Sequence, residues 1–251
     1  MTSNRFFIEE KPDDATHFYL IGKEHHHLSR VTRAKQGDLV WLFDRNGNQY
    51  RACVEEIKKD KTRLLILETK IKRRSKIRIT LAQVILKAKK MDLVIRKATE
   101  LGTHSIHPII SDRTVVKIEN RQDEKMERWK RITVEAAKQC GRSALPKIHS
   151  PTGLNSFITR EDKAKKLFLS ERGSKYLRDI LISPFMAETK IPTSVILLIG
   201  SEGGWTEKEE QDIMENCFEA VSVGSLTLRS ETAAIVSLAM VSHFWMNDDV
   251  S

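Results

Sequence analysis

The chain has 251 residues, of which 40% are hydrophobic and 31% charged. This composition is typical of a globular protein and excludes a collagen-like or low-complexity chain. The net charge of +9 and the pI of about 9.4 favour a polyanionic partner without identifying one. Residues 1–75 hold 16 Lys and Arg against 11 Asp and Glu, whereas the remaining 176 hold 27 against 23. The more basic amino-terminal third is therefore predicted to be the part that faces the polyanion.

The three cysteines indicate a reducing compartment. Cys53, Cys140 and Cys217 are odd in number, far apart and free of CxxC spacing, which argues against disulfides and against a zinc site. The first residues, MTSNRFFIEEKPDD, contain no apolar leader, and no run of the sequence is long enough to span a bilayer. We expect a cytoplasmic protein with no membrane contact.

The amino-terminal part reads as short strands joined by polar turns. Strands are predicted at residues 17–21, 37–43, 49–57 and 62–68, and a helix at residues 23–33. Asn46-Gly47 between the second and third strands suits a tight hairpin turn, because such turns require positive φ. The pattern predicts a small β-barrel.

A different pattern follows the basic stretch at residues 69–76, which is predicted to be either a solvated connector or a phosphate-contacting hinge. From here strands and helices alternate, which predicts a mostly parallel sheet with helices on both faces. Ligands of such sheets lie beyond the carboxyl ends of the strands. The predicted strands are residues 77–86, 105–110, 166–169, 194–199 and 219–223, and the predicted helices are residues 90–101 and 121–140.

A glycine-rich turn follows the strand at residues 194–199. It reads Gly-Ser-Glu-Gly-Gly-Trp from Gly200, and Thr206 with Glu209 predicts a capping box that starts a helix. Glycines allow close backbone approach to a ligand, although no GxxxxGK[ST] or GxGxxG phosphate motif is present. A purely structural strand-to-helix turn is the open alternative.

A second turn, Gly-Ser-Leu-Thr-Leu-Arg from Gly224, precedes another predicted helix. Ser230 is predicted to be its N-cap, and Glu231 lies in its first turn, where the helix dipole favours a negative charge. Taken alone, Glu231 could simply match the dipole, and Arg229 could be a surface cation.

Together the two turns are much more specific. GxEGG followed by G-x-x-x-L-R-x-E-T-A resembles the carboxy-terminal signature of the RsmE family of SPOUT RNA methyltransferases. Further matches run along the chain: residues 5–7, 26–33, 87–108 and 128–142. The sequence departs from the family at Ser201, which stands where proline is usual, and at Leu226 and Thr227.

The resemblance implies a PUA-like β domain at residues 1–72 and a knotted α/β methyltransferase domain at residues 73–251. It also implies a homodimer whose active site is completed across the two copies, and S-adenosylmethionine (SAM) as methyl donor, bound in the knot. The donor residues carried over are Leu169, Ile199, Gly200, Glu202, Gly204, Val223, Ser225, Leu226 and Leu228.

The family's reaction is methylation of N3 of a uridine in the 16S rRNA of the small ribosomal subunit. Arg229 would stabilise the developing uracil anion, and Glu231 would take the proton or hold Arg229. N3 lies on the pairing edge, so the base must be unpaired or flipped out. Flanking phosphates would contact cations of the small domain, and no DNA partner is expected. These RNA-binding residues are Arg5, Arg30, Arg33 and Lys35.

Two alternatives remain open at this point. One is a SPOUT enzyme that methylates a ribose 2′-hydroxyl or a tRNA; the other is a catalytically silent RNA-binding ribosome-assembly protein. A metal at His25, His26 and His27 is not expected, because adjacent helical histidines point in different directions. Phe6 and Phe7 are predicted to lie in a core strand rather than to stack on bases.

Overall fold

The computed structural model describes residues 4–10, 12, 16–70, 77–114, 122–172 and 175–246. The chain divides into two compact units. The small unit contains Met1–Arg74 and Val134–Leu145, and the large unit contains Ser75–Thr133 and Pro146–Ser251. The predicted boundary at residues 72 and 73, like most of the basic stretch at residues 69–76, lies outside the described residues. So does Arg121, the predicted start of the long helix.

The small unit is built around a five-stranded sheet in the order β1-β3-β4-β5-β2. β1 pairs with β3 in parallel, and the other neighbours are antiparallel. Phe6 is fully buried in the core of this sheet, as predicted, together with Leu28 and Leu42. The elements of the small unit are β1 (Arg5–Phe7), β2 (His17–Ile21), α1 (Gly22–His26), a π-helix (His27–Val31), β3 (Leu39–Phe43), β4 (Gln49–Ile57) and β5 (Lys61–Lys70).

The predicted hairpin connects β3 and β4. The Asp44 carboxylate accepts hydrogen bonds from the backbone N–H groups of Asn46 and Asn48, each at 2.9 Å. Gly47 has φ +90°, the left-handed conformation that glycine adopts without strain. The hairpin and the positive φ at Gly47 are confirmed, but the loop is longer than a tight turn: it spans residues 44–48 and closes through the Asp44 side chain.

The helix predicted at residues 23–33 is shorter and changes type. It runs as α1 and continues as the π-helix, because the backbone N–H of Thr32 bonds the His27 carbonyl five residues back, at 2.9 Å. Periodicity at 3.6 residues cannot reveal such widening. His25 is buried, with Nδ1 2.8 Å from the Thr62 hydroxyl, so it ties this helix to β5.

The large unit contains a parallel sheet in the order β11-β13-β10-β12-β6-β7-β8, with β9 also paired to β7. Every described pair in it is parallel, which confirms the predicted α/β class. The elements from β6 onward are β6 (Arg78–Val84), α2 (Ala88–Glu100), β7 (Ser105–Ile110), α3 (Gln122–Cys140), β8 (Lys147–Ile148), β9 (Thr152–Gly153), α4 (Leu154–Ile158), β10 (Lys165–Leu169), β11 (Lys175–Tyr176), α5 (Leu177–Met186), β12 (Ser194–Ile199), α6 (Glu207–Glu215), β13 (Glu219–Ser222) and α7 (Ser230–Trp245). From Val134, α3 belongs to the small unit.

The central strands are apolar on both faces, since successive side chains alternate between two hydrophobic clusters. In β12, Leu197 and Ile199 join the cluster formed with α2 and α7. Ile196 and Leu198 join the cluster formed with α4 and α6. Helices α4 and α5 and the two-residue strands were not predicted. Among the described helices, none is both long and apolar enough to cross a membrane.

Candidate active site

A cleft of about 560 Å³ lies at the carboxyl ends of β10, β12 and β13. Its lining comes mainly from three loops: residues 169–172 after β10, residues 199–205 around the end of β12, and residues 221–230 between β13 and α7. This is the edge at which a parallel sheet is expected to bind its ligand.

The loop after β12 is held tightly around Trp205. The indole N–H of Trp205 donates to the Leu169 carbonyl at 2.9 Å, which joins this loop to the one after β10. A Cβ on Gly200 would lie only 3.1 Å from Cε2 of the indole, so glycine permits the close approach. Gly204 has φ +68° and donates its backbone N–H to the Ser201 carbonyl at 3.0 Å. The glycines therefore shape the loop.

The predicted capping box at the start of α6 is confirmed. Thr206 Oγ1 accepts from the Glu209 backbone N–H at 3.1 Å, and Glu209 Oε2 accepts from the Thr206 N–H at 2.8 Å. Glu209 also accepts the backbone N–H of Asp112 at 2.9 Å. One buried carboxylate thus fixes both the helix start and the loop after β7.

The start of α7 differs from the prediction by one residue. Arg229 is the N-cap, and the Ser230 hydroxyl instead donates to the Gly200 carbonyl. Gln83 Nε2, at the end of β6, donates to Ser230 Oγ at 3.0 Å. Ser230 therefore ties α7 to the loop after β12 rather than capping its own helix. Gln83 was missed, although a single amide in the apolar run ITLAQVIL signals a required hydrogen bond.

The structure brings the predicted donor residues together. All nine line the cleft, and Arg229 lines it too. Leu226 is 77% exposed and lies at the rim. The nine are Leu169, Ile199, Gly200, Glu202, Gly204, Val223, Ser225, Leu226 and Leu228.

Glu231 lies beside the cleft lining rather than in it. Its side chain is buried, and its Oε2 has no hydrogen-bond partner among the described residues. Its Oε1 is 3.7 Å from Lys90 Nζ, which is also 2.7 Å from Oε1 of Glu202. That short hydrogen bond raises the pKa of Lys90 and lowers the pKa of Glu202, so both groups stay charged at neutral pH. Lys90 was missed because it lies on α2, far from both acids in sequence.

The four predicted RNA-binding cations belong to the small unit and differ in exposure. Arg30, Arg33 and Lys35 are exposed at and after the π-helix. Arg5 is half-buried: its guanidinium donates to Gln49 Oε1 at 3.2 Å and lies 5.4 Å from the centre of the Phe43 ring. Burial lowers the pKa of Arg5. The Arg5 side chain is therefore packed against its own sheet, whereas the other three cations are exposed.

Comparisons with known proteins agree with this architecture. Residues 73–242 match the RNA methyltransferase domain family, and residues 20–67 match the RNA methyltransferase PUA domain family. The ribosomal RNA small subunit methyltransferase E of Bacillus subtilis is 30% identical over 245 residues, which cover 95% of this chain and 96% of that protein.

Two solved structures resemble the whole chain. A Legionella pneumophila methyltransferase in complex with SAM has a TM-score of 0.85 at 30% identity and covers 97% of this chain and 98% of its own. The ribosomal RNA small subunit methyltransferase E of Neisseria gonorrhoeae, bound to SAM, has a TM-score of 0.84 at 28% identity, with 96% and 97% covered.

A PUA domain joined to a parallel α/β domain with a glycine-lined cleft defines an RNA methyltransferase. The chain belongs to the ribosomal RNA small subunit methyltransferase E family. This confirms the resemblance seen in the turns that begin at Gly200 and Gly224.

Proposed function

We propose that the protein transfers the methyl group of SAM to N3 of a specific uridine in the 16S rRNA of the small ribosomal subunit. The observation that carries the proposal is that all nine donor positions and Arg229 line one cleft at the carboxyl edge of the sheet. The names of the similar proteins support the ribosomal substrate and the donor.

The cleft suits a nucleoside-containing donor. A volume of about 560 Å³ lies within the range of small-molecule sites, and apolar side chains with exposed backbone groups can hold an adenine. At Gly204, positive φ and an ideal Cβ with no neighbour within 4 Å leave a backbone surface that a ligand can approach. Ile199, Leu228 and the glycine backbone would hold the donor, which supplies an electrophilic methyl group when bound.

The residues of the chain must deal with the proton on N3. This imide proton has to leave before or as the nitrogen attacks the methyl carbon, and negative charge then develops on the uracil ring. Arg229 is exposed in the cleft, where it can stabilise that charge. Glu231 is the group that takes the proton or holds Arg229.

In this proposal Lys90 is a positioning residue for Glu202 and Glu231. Its ammonium bonds Glu202 of the loop after β12 and lies near Glu231 at the start of α7. A buried carboxylate is costly unless a cation compensates it, and Lys90 Nζ, 3.7 Å from Glu231 Oε1, is the cation that holds this side chain in place. The proposal also includes the domain boundary at residues 72 and 73, the homodimer and the cytoplasmic location. Its phosphate contacts are those of Arg5, Arg30, Arg33 and Lys35.

The test is direct identification of the product. The protein is incubated with labelled SAM and small subunits that lack the modification, and the RNA is digested to nucleosides. We expect label in 3-methyluridine. Label in a 2′-O-methylated nucleoside, or label only in tRNA, would replace the proposal with another SPOUT activity. Absence of label despite SAM binding would leave a non-catalytic RNA-binding protein.

A further inference from the structure

A second cavity lies at the opposite edge of the large sheet, where the parallel strands begin. Its volume is about 240 Å³, and it shares no lining residue with the donor cleft. Thr80, Ser105 and Ser194 contribute hydroxyl groups from the amino-terminal ends of β6, β7 and β12. The hydroxyls of Thr80 and Ser105 are 3.0 Å apart.

Cations dominate the walls of this cavity. Arg78, Arg160 and Lys166 line it, and among the described residues Asp162 supplies the one carboxylate of the lining. Lys166 Nζ makes long hydrogen bonds, at 3.4 Å, to the carbonyls of Arg160 and Asn216, and it lies 5.4 Å from the centre of the Phe218 ring. A concave site with three cations and several hydroxyl donors suits an anion with several oxygens.

His107 lines the same cavity and stacks on His149 behind it. The rings of His107 and His149 are 3.8 Å apart and nearly parallel, at 13°. His107 is 9% exposed, and its Nδ1 has no hydrogen-bond partner among the described residues. Burial, together with the neighbours His149, Arg160 and Lys147, lowers the pKa of His107 to about 3. The ring is therefore neutral at physiological pH and offers a polar group whose hydrogen bond is still to be made.

We propose that this cavity binds a phosphate group of an RNA strand, through Arg78, Arg160 and Lys166. Phosphate matches the cation count and the hydroxyl donors. RNA is favoured as its carrier because Arg78 follows the basic stretch of residues 69–76 in the sequence. This choice of carrier rests on the proposed function, whereas the phosphate site itself does not.

The histidine rings supply the readout. Ring ¹H–¹³C signals of His107 and His149 are followed in the full-length protein during titration with a short single-stranded RNA, with inorganic phosphate, or with sodium chloride at matched ionic strength. We expect RNA and phosphate to shift both rings saturably and chloride to leave them nearly unchanged. Shifts with inorganic phosphate alone would replace RNA by a small phosphate ligand; no shift with either would overturn the site.

Charge-matched variants distinguish RNA binding at this cavity from general electrostatic attraction of RNA to the protein. Arg160→Gln with Lys166→Gln should weaken RNA binding at least about tenfold. Lys163→Gln with Lys208→Gln removes the same charge from exposed positions outside the cavity and should change it much less. Equal losses in both pairs would overturn the proposal. The SAM affinity measured by calorimetry should stay unchanged in both double variants. A failure of the phosphate-site proposal can therefore be distinguished from a failure of the proposed methyltransferase function.

Discussion

Arg229 and Glu231 are two residues apart but occupy different environments. Arg229 is the exposed N-cap of α7 and lines the cleft, while Glu231, in the first turn of α7, is buried beside Lys90. An exposed cation can meet a charge that appears on the substrate during reaction. A buried, compensated carboxylate is better suited to fixing geometry or receiving one proton. Substitution of Arg229 and substitution of Glu231 are therefore expected to have different effects on the reaction.

Arg229→Ala should lower turnover by about a hundredfold, some 2.7 kcal/mol, which is typical for removal of one transition-state partner. Donor affinity should stay almost unchanged, because the charge that Arg229 stabilises is absent before reaction. Raising the pH should partly rescue the variant, since more of the uridine is then ionised without help. The measurements are single-turnover rates over a pH series and calorimetry with SAM.

Arg178→Ala is the control, because it removes an exposed arginine paired with Asp179 outside the cleft. Its turnover should match the unaltered protein. If Arg229→Ala instead showed weak RNA binding, normal turnover at saturating RNA and strong salt sensitivity, Arg229 would be a phosphate anchor. Glu231 would then be left as the catalytic candidate.

The loop after β12 depends on one backbone conformation. Gly204→Val should weaken SAM binding at least about tenfold, or 1.4 kcal/mol, because a β-branched residue at φ +68° is strained and would occupy the ligand's approach. Gly153→Val is the control, since Gly153 has φ −61° and open space around its Cβ. Unchanged calorimetric affinity in a folded Gly204→Val variant would make the loop purely structural.

Glu209 holds the start of α6 and the loop after β7 together. Glu209→Ala should lower the free energy of unfolding by about 1–2 kcal/mol, because it leaves the backbone N–H groups of Thr206 and Asp112 without their acceptor. Urea denaturation measures the loss. Lys208→Ala, on the same turn and exposed, should stay within about 0.5 kcal/mol of the unaltered protein. Equal stability of the two variants would contradict the role given to Glu209.

Elements whose signal is local could be predicted from the sequence. β12 was predicted at Ser194–Ile199 with both ends correct, and the hairpin and capping box follow from residues adjacent in the chain. Features that depend on distant partners could not. The π-helix follows a helix that is tied to β5 through His25 and Thr62, 37 residues apart, and the Ser230 hydroxyl bonds the Gly200 carbonyl, 30 residues away, instead of capping α7. Lys90 joins the site only when α2 packs beside α7.

The large sheet has a different site at each end of its parallel strands. Donor-binding residues follow the carboxyl ends of β10, β12 and β13, whereas the proposed phosphate site gathers side chains from the starts of β6, β7 and β12. In the sheet, β10 lies between β13 and β12, both of which follow it in the sequence. The order of these strands in the sheet therefore differs from their order along the chain. The trefoil knot stays a prediction from the family resemblance, and this strand order is compatible with it.

Large apolar side chains on the surface of the large unit favour self-association. Phe185 is 48% exposed, Met186 79% and Leu226, at the cleft rim, 77%. We predict a homodimer whose interface buries apolar residues of the carboxy-terminal domain. Light scattering at micromolar concentration should give about twice the 28.9 kDa of one chain.

A shared active site makes a further demand on this dimer. If the partner completes the cleft, methylation activity per chain should fall on dilution in step with the measured mass, because each monomer then carries an incomplete site. SAM affinity measured at the same concentrations shows whether the donor cleft itself needs the partner. A monomer at micromolar concentration would contradict the dimer. Activity per chain that stays constant while the mass halves would show that one chain holds every residue the reaction needs.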